Sequence, residues 1–214
     1  MAATVVVAGD DLGAEVSARA LAAAGVGTLR LVRRGGPPPE VVARAFSASN
    51  PDLTLDLVAW PGAGGGEAAG AAWLAVLAGA TAIVRSGFDD DAMLRAAIRH
   101  GVPAVIMRGA GDVADVVSFR KHGPCPHLDL AIAEHPAGVA SGDGPTAVVA
   151  AQVAAAEVLA VIAGAATGAA RARHVRITLA SAGDPDAPPV RATDLPWTPE
   201  CFACGGSATT MSFS

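Results

Sequence analysis

Lysine occurs once in this chain of 214 residues, at Lys121, and acidic side chains outnumber basic ones to give a formal charge of -5. Sequence-neutral binding to nucleic acid needs clustered Lys and Arg to neutralise phosphates, so no nucleic-acid partner is expected. Two short basic patches, Arg33-Arg34 and Arg171 to Arg176, read as solvated loop and helix-end arginines. Met1 to Gly9 has neither a basic n-region nor a long apolar h-region and is not a secretory signal. No apolar stretch of ~20 residues free of turn residues occurs, so no membrane-spanning helix and no membrane partner is predicted. Catalytic patterns are also sparse. No Ser-His-Asp or Cys-His constellation follows from spacing, and Ser86 beside Gly87 is not set in a nucleophile elbow. These absences leave the expectation of a soluble, cytoplasmic chain with reduced thiols.

What is present is apolar. With 52 % apolar and 16 % charged residues, the chain can bury the core of one domain with a short appendage. Short β-branched runs alternate with Ala/Leu-rich helical stretches, the βαβ rhythm of a mostly parallel, Rossmann-like sheet with helices on both faces. Strands are predicted at Thr4 to Ala8, Thr28 to Val32, Leu53 to Ala59, Thr81 to Arg85 and Ala104 to Met107. Helices are predicted at Ala14 to Ala24, Glu40 to Ser47, Glu67 to Leu77 and Asp89 to His100, with Gly25 as the left-handed stop of the first. Val116 to Phe119 and Leu128 to Ala133 flank a Pro- and His-bearing loop and read as a hairpin. The longest helix, Thr146 to Ala163, is apolar nearly all round, which predicts burial or a homodimer interface. His174 to Leu179 and Val190 to Thr193 read as a closing antiparallel pair, ending an α/β domain over 1–194. His100 and His174 lack metal-like spacing and read as helix-end and surface residues.

The remaining 195–214 form a tail carrying Cys201 and Cys204 as Cys-x-x-Cys, half of a tetrahedral metal site. The third cysteine, Cys125, lies in the loop Lys121 to His127, where His122 and His127 could lower its pKa as a nucleophile. Zinc ligation is the preferred reading, with Cys125, His127, Cys201 and Cys204 as ligands and His122 and His135 as substitutes for the imidazole. Structural zinc would then clip the tail onto the domain. Three free or buried thiols are the alternative.

The run Val5 to Gly13 followed by Ala22 to Val32 resembles the opening of the ThiF/MoeB/HesA family, bacterial relatives of ubiquitin-activating enzymes. Asn50-Pro51-Asp52, Leu77 to Val84, Gly101-Val102-Pro103, the helix with Glu157 and the terminal Cys-x-x-Cys agree in the same order. The resemblance implies a ThiF-like fold and a nucleotide site, of which Gly9, Leu12, Gly13 and Asp89 would remain. Matching Leu12-Gly13 to the family's Leu-Gly puts Ala8, Asp10 and Asp11 where fingerprint glycines lie. Two carboxylates would then face a triphosphate, so Mg-ATP is not expected as a cofactor; Asp10 and Asp11 read instead as caps of the following helix. The family's acidic residue after strand two and its Asn, Arg, Gln and Lys segment have no match in Arg33 to Pro39. Helices bearing an arginine finger are likewise not expected before Thr4. The family's magnesium loop corresponds to Arg85 to Asp91, where Asp89 to Asp91 reads as an acidic helix start.

Gly123 to Leu130 and Trp197 to Cys204 are similar to one offshoot of that family, the ThiF-like partner proteins of azoline-forming cyclodehydratases in ribosomal-peptide biosynthesis. The offshoot's loop carries Cys-x-x-Cys, which would place cysteine at Leu128. Its members bring a leader peptide to a catalytic partner through a winged-helix domain, for which this chain is not expected to have room. The resemblance implies a non-adenylating peptide- or protein-binding scaffold. An active adenylyltransferase acting on a peptide or carrier-protein carboxylate is the alternative, and Arg33 leaves a case for a small NADP-binding Rossmann protein.

Overall fold

A computed structural model describes residues 3–62, 67–87, 91–119, 144–164, 173–179 and 189–194. Eight strands form one sheet in the order β3-β2-β1-β4-β5-β6-β7-β8. Five run parallel: β1 (Thr4–Ala8), β2 (Thr28–Arg33), β3 (Thr54–Ala59), β4 (Ala82–Ser86) and β5 (Ala104–Ala110). Then β6 (Val113–Phe119), β7 (Arg173–Thr178) and β8 (Val190–Asp194) continue it antiparallel. Continuous apolar runs such as Val5-Val6-Val7 suit strands buried on both faces, and all three are at most 2 % exposed.

On one face lie α1 (Leu12–Ala23), α2 (Pro39–Ser47) and α5 (Pro145–Ile162). On the other lie α3 (Glu67–Leu77) and α4 (Asp91–His100), with Trp73, Met93 and Leu94 buried against Val6, Ile83 and Ile106. Val42 and Phe46 of α2 sit one turn apart and turn the same face inward. Their helix starts at Pro39, whose missing N–H costs nothing in the first turn.

Helix α5 bears out burial for one face of the long apolar segment. Its stripe Ala147, Ala150, Ala151, Ala154, Ala155 and Val158 is buried against α1 and the strands, while Val148 and Val149 stay 37 % and 38 % exposed. It is also the one described helix long and apolar enough to cross a membrane, yet it forms core on one face. Small side chains on both helices let the axes approach, and the buried Ser17 hydroxyl of α1 donates to the Ala151 carbonyl of α5 at 3.3 Å.

Two expectations change. The hairpin partner of β6 is β5: a two-residue turn, Gly111-Asp112, joins Ala110 to Val113, and Gly111 has φ +57°. The strand read as Ala104 to Met107 runs on to Ala110, carried by antiparallel pairing with β6; Leu128 to Ala133 lies outside the described residues. Arg173 is a strand residue of β7, not a helix-end arginine, and Arg176 lies in the strand read from His174 onward, alternate positions 175 and 177 being taken by core Val and Ile. Arg171 and the tail 195–214 lie outside the described residues.

Candidate functional site

The turn between β1 and α1 sits at the carboxyl end of the parallel strands, beside the end of β4. In open α/β sheets this edge receives ligands. Gly9 donates its N–H to the Val32 carbonyl at 3.1 Å, tying the turn to the end of β2. Leu12 opens α1 with its side chain 38 % exposed.

Asp11 is the N-cap of α1. Its backbone is extended, Oδ1 accepts the Ala14 N–H at 2.8 Å, and Oδ2 accepts the Ser86 hydroxyl at 2.8 Å. Two glycines make this possible. A Cβ on Gly13 would lie 2.7 Å from Ser86 Oγ. One on Gly87, at φ +74°, would collide with Asp11 Oδ2. Small residues of the kind that admit phosphate elsewhere here admit a carboxylate from the chain itself.

Asp10 does something else, which corrects the expectation that both aspartates cap α1. Its carboxylate accepts the Arg34 N–H at 3.0 and 3.2 Å and lies 3.5 Å from Arg33 Nε. The side chain points across to the loop after β2 because Gly9 has already turned the backbone toward that strand. Arg34 stacks its guanidinium 4.8 Å from the Trp60 ring centre, and Trp60 meets Trp73 edge-on at 5.2 Å. The β2–α2 loop is thereby fastened to the β1–α1 turn and to Trp60. Arg33 folds against Gly36 and Asp10, where it serves the loop.

Beneath this turn a crevice of about 160 Å³ opens between α1 and α2. Leu31, Val42 and Phe46 line its apolar wall, and Asp10, Asp11 and Arg33 stand at its charged end. A phosphate oxyanion at Asp11 would meet a like charge; at 4 Å and an effective dielectric of 20, such a pair is worth about 4 kcal/mol of repulsion. The first-turn N–H of Ala14 and the Ser86 hydroxyl are already bound to Asp11. The residues here do not fit a nucleotide triphosphate.

Of the other expected site residues, Asp89 lies outside the described residues and α4 begins at Asp91. Cys125, His127, Cys201 and Cys204, with His122 and His135, also lie outside them. Among the described residues no group of three or more His, Cys, Asp or Glu side chains is placed to hold a metal.

A second cluster was not expected. Asp115 on β6 is 4 % exposed, and its Oδ1 lies 2.7 Å from His174 Nε2 and 2.9 Å from Arg176 Nε, while Arg176 Nη2 reaches Oδ2 at 3.3 Å. Burial alone would raise the carboxyl pKa, but the hydrogen bonds from His174 and Arg176 and their charges together outweigh it and hold Asp115 below the ordinary 3.8. His174 is therefore a bonded strand residue, not a plain surface histidine. The sequence did carry a signal: an aspartate inside Val113-Ala114-Asp115-Val116-Val117, opposite the alternating cations of Arg173 to Thr178.

No protein-family model and no curated protein matches the sequence. Solved structures do match. E. coli MccB with ATP superposes at TM-score 0.67, with 16 % identity over 95 % of this chain and 66 % of that chain. MccB with MccA-N7isoASN gives TM-score 0.68 at 16 % identity, covering 95 % and 67 %. The fold is ThiF-like. PaaA agrees at TM-score 0.67 and 14 % identity, over 90 % of this chain and 64 % of PaaA. This ThiF-like chain thus spans about two thirds of the length of the proteins it matches. One of the MccB structures is described as the microcin C7 biosynthetic enzyme in complex with N-formylated MccA.

Proposed function

We propose that the chain is a member of the ThiF/MoeB/HesA family that does not adenylate and serves as a peptide- or protein-binding partner in ribosomal-peptide biosynthesis of the azoline type. The observation that carries this reading is Asp11, whose carboxylate occupies the α1 N-terminus that a triphosphate would need. The likeness to MccB, solved with ATP and with MccA, supports a peptide-handling ancestry for the fold. In this reading the chain works in the cytoplasm, and the exposed valines of α5 form part of a homodimer contact. One structural zinc per chain joins Cys125 and His127 to Cys201 and Cys204.

The same likeness favours the rival reading, an adenylyltransferase acting on a peptide carboxylate, because MccB has been solved with ATP. Calorimetric titration with Mg-ATP separates the two. Wild type gives no binding heat, whereas Asp10→Gly/Asp11→Gly gains measurable affinity. Micromolar binding by wild type, or ATP-pyrophosphate exchange, would sink the non-adenylating reading. Metal analysis of protein purified without chelator tests the zinc, with about one zinc per chain expected. Less than a tenth of that amount rejects the clip.

A further inference from the structure

The crevice between α1 and α2 joins an apolar floor to one unbalanced charge. Val7, Leu31, Val42 and Phe46 on the floor are at most 7 % exposed, and Val41, 50 % exposed, continues the apolar surface out to the rim. Five charged side chains line the same space, and four of them form two pairs. Glu15 Oε1 lies 2.8 Å from Arg19 Nη2, and Asp10 Oδ1 lies 3.5 Å from Arg33 Nε. Asp11 is the fifth. Its donors, the Ala14 N–H and the Ser86 hydroxyl, are neutral, so no cation among the described residues balances it. The positive end of α1 offsets about half an elementary charge, which leaves about half a unit of negative charge at this end of the crevice.

Volume decides what size of group enters. Sites for drug-sized ligands run to roughly 300–1,000 Å³, whereas this crevice holds about 160 Å³. An apolar cavity of about 150 Å³ takes a group the size of benzene. One side chain of a larger molecule therefore fits, and a whole ligand of ordinary size does not. Among side chains, an apolar wall that ends at an unbalanced carboxylate matches an aliphatic stem ending in a positive charge. Lysine is built that way, with methylenes that pack on apolar surface behind a compact ammonium.

We infer that the crevice anchors one lysine side chain of a peptide partner, with the methylenes along Val42 and Phe46 and the ammonium at Asp11. The inference rests on the peptide-partner reading and names the residue that such a partner presents. The charge that opposes a triphosphate at this turn attracts an ammonium by the same Coulomb law. Each Asp11 oxygen keeps a lone pair beyond the bond it already accepts, so the ammonium adds a donor without displacing the cap or the Ser86 hydroxyl.

Three peptides Gly-Gly-X-Gly-Gly with acetylated and amidated ends separate stem from charge. X is lysine, norleucine, which keeps the stem without the ammonium, or 2,4-diaminobutyrate, which keeps the ammonium on a stem two methylenes shorter. Binding to the full chain is read from NMR shifts of the Gly13 and Ala14 amides. The lysine peptide binds in the millimolar range. Norleucine binds about threefold more weakly, as the loss of one half-exposed ion pair predicts. Diaminobutyrate binds about fivefold more weakly or worse, because less of its stem is buried. Asp11→Asn keeps an acceptor for the cap and lowers lysine to the norleucine value, while norleucine changes less than about twofold. Asp52→Asn, the same charge change at an exposed position before β3, alters neither. An unchanged thermal midpoint shows that both variants fold, and the three peptides on wild type stand without them. Lysine binding no tighter than norleucine, or equal losses in Asp11→Asn and Asp52→Asn, overturns the inference. Norleucine binding more tightly than lysine overturns it in favour of a purely apolar anchor. No nucleotide enters this assay: heat with Mg-ATP rejects the non-adenylating reading, whereas a missing lysine preference in a chain that gives no such heat removes this inference alone.

Discussion

Asp11, half-buried at the N-terminus of α1, and Asp115, buried within β6, are two carboxylates that do opposite things. Asp11 is satisfied by a backbone N–H and a hydroxyl, both neutral, so its negative charge remains at the helix terminus. Asp115 is satisfied by a guanidinium and an imidazole, so its charge is balanced by Arg176, which reaches the surface. The difference lies in the donors. A parallel edge offers N–H groups and small residues, whereas antiparallel pairing brings side chains of neighbouring strands directly opposite one another.

Removing the carboxylates one at a time breaks the comparison most severely at Asp115. Asp115→Ala leaves Arg176 and His174 without the carboxylate that orders them, and unfolding in urea is expected to show a loss of about 2–3 kcal/mol, below the 3–5 of a wholly buried pair because Arg176 reaches water. A loss under 0.5 kcal/mol would mean the cluster does not order that face. The acid side gives a second reading of the same group. A carboxyl held below 3.8 in the folded state stabilises fully above that pH and loses the contribution as pH falls through its folded value. The stability advantage of wild type over Asp115→Asn is therefore largest near neutrality and fades below pH 3.8; a gap that is constant down to pH 2 contradicts the assignment.

Asp11→Ala comes next. Loss of the cap costs about 1 kcal/mol, and the Ser86 hydroxyl, which is 2 % exposed as a residue, loses its acceptor, bringing the expected total to about 1–2 kcal/mol. Asp11→Asn keeps an acceptor for the cap while removing the charge, so it should lose only a few tenths of a kcal/mol. If Asn is as damaging as Ala, charge rather than capping holds the turn. The smallest effect belongs to Glu15→Gln. Its pair with Arg19 one turn away is exposed, with 56 % and 46 % of the side chains in solvent, and about 0.3–0.5 kcal/mol is expected from thermal unfolding.

Much of the parallel half was legible in the residues. The bounds of β1 and α3 agree with those read from the sequence, because Thr4 to Ala8 and Glu67 to Leu77 are uniform runs bounded by turn residues. Helix α1 starts at Leu12, two positions ahead of the reading, because the Asp11 cap admits Leu12 and Gly13 to the first turn. The cap itself was readable, since a local i to i+3 bond needs only neighbouring residues. The Asp10–Arg34 contact spans 24 positions and depends on how β1 and β2 align, which no local pattern encodes. The same applies to the hairpin of β5, whose strand continues through Arg108-Gly109-Ala110 only because β6 lies beside it. The proposed zinc ligands fall outside the described residues, so their geometry stays with the sequence.

The alanine stripe of α5 gives this molecule an uneven mutational spectrum. At Ala150, Ala151, Ala154 and Ala155, every replacement except glycine adds atoms to a surface at most 2 % exposed and already closed against its neighbours. Overpacking costs typically about 1–3 kcal/mol, while truncation to glycine forfeits one methyl and about 1 kcal/mol of helix propensity. Such a core gains little from enlarging its side chains, and drift along it is confined to exchanges among the smallest residues.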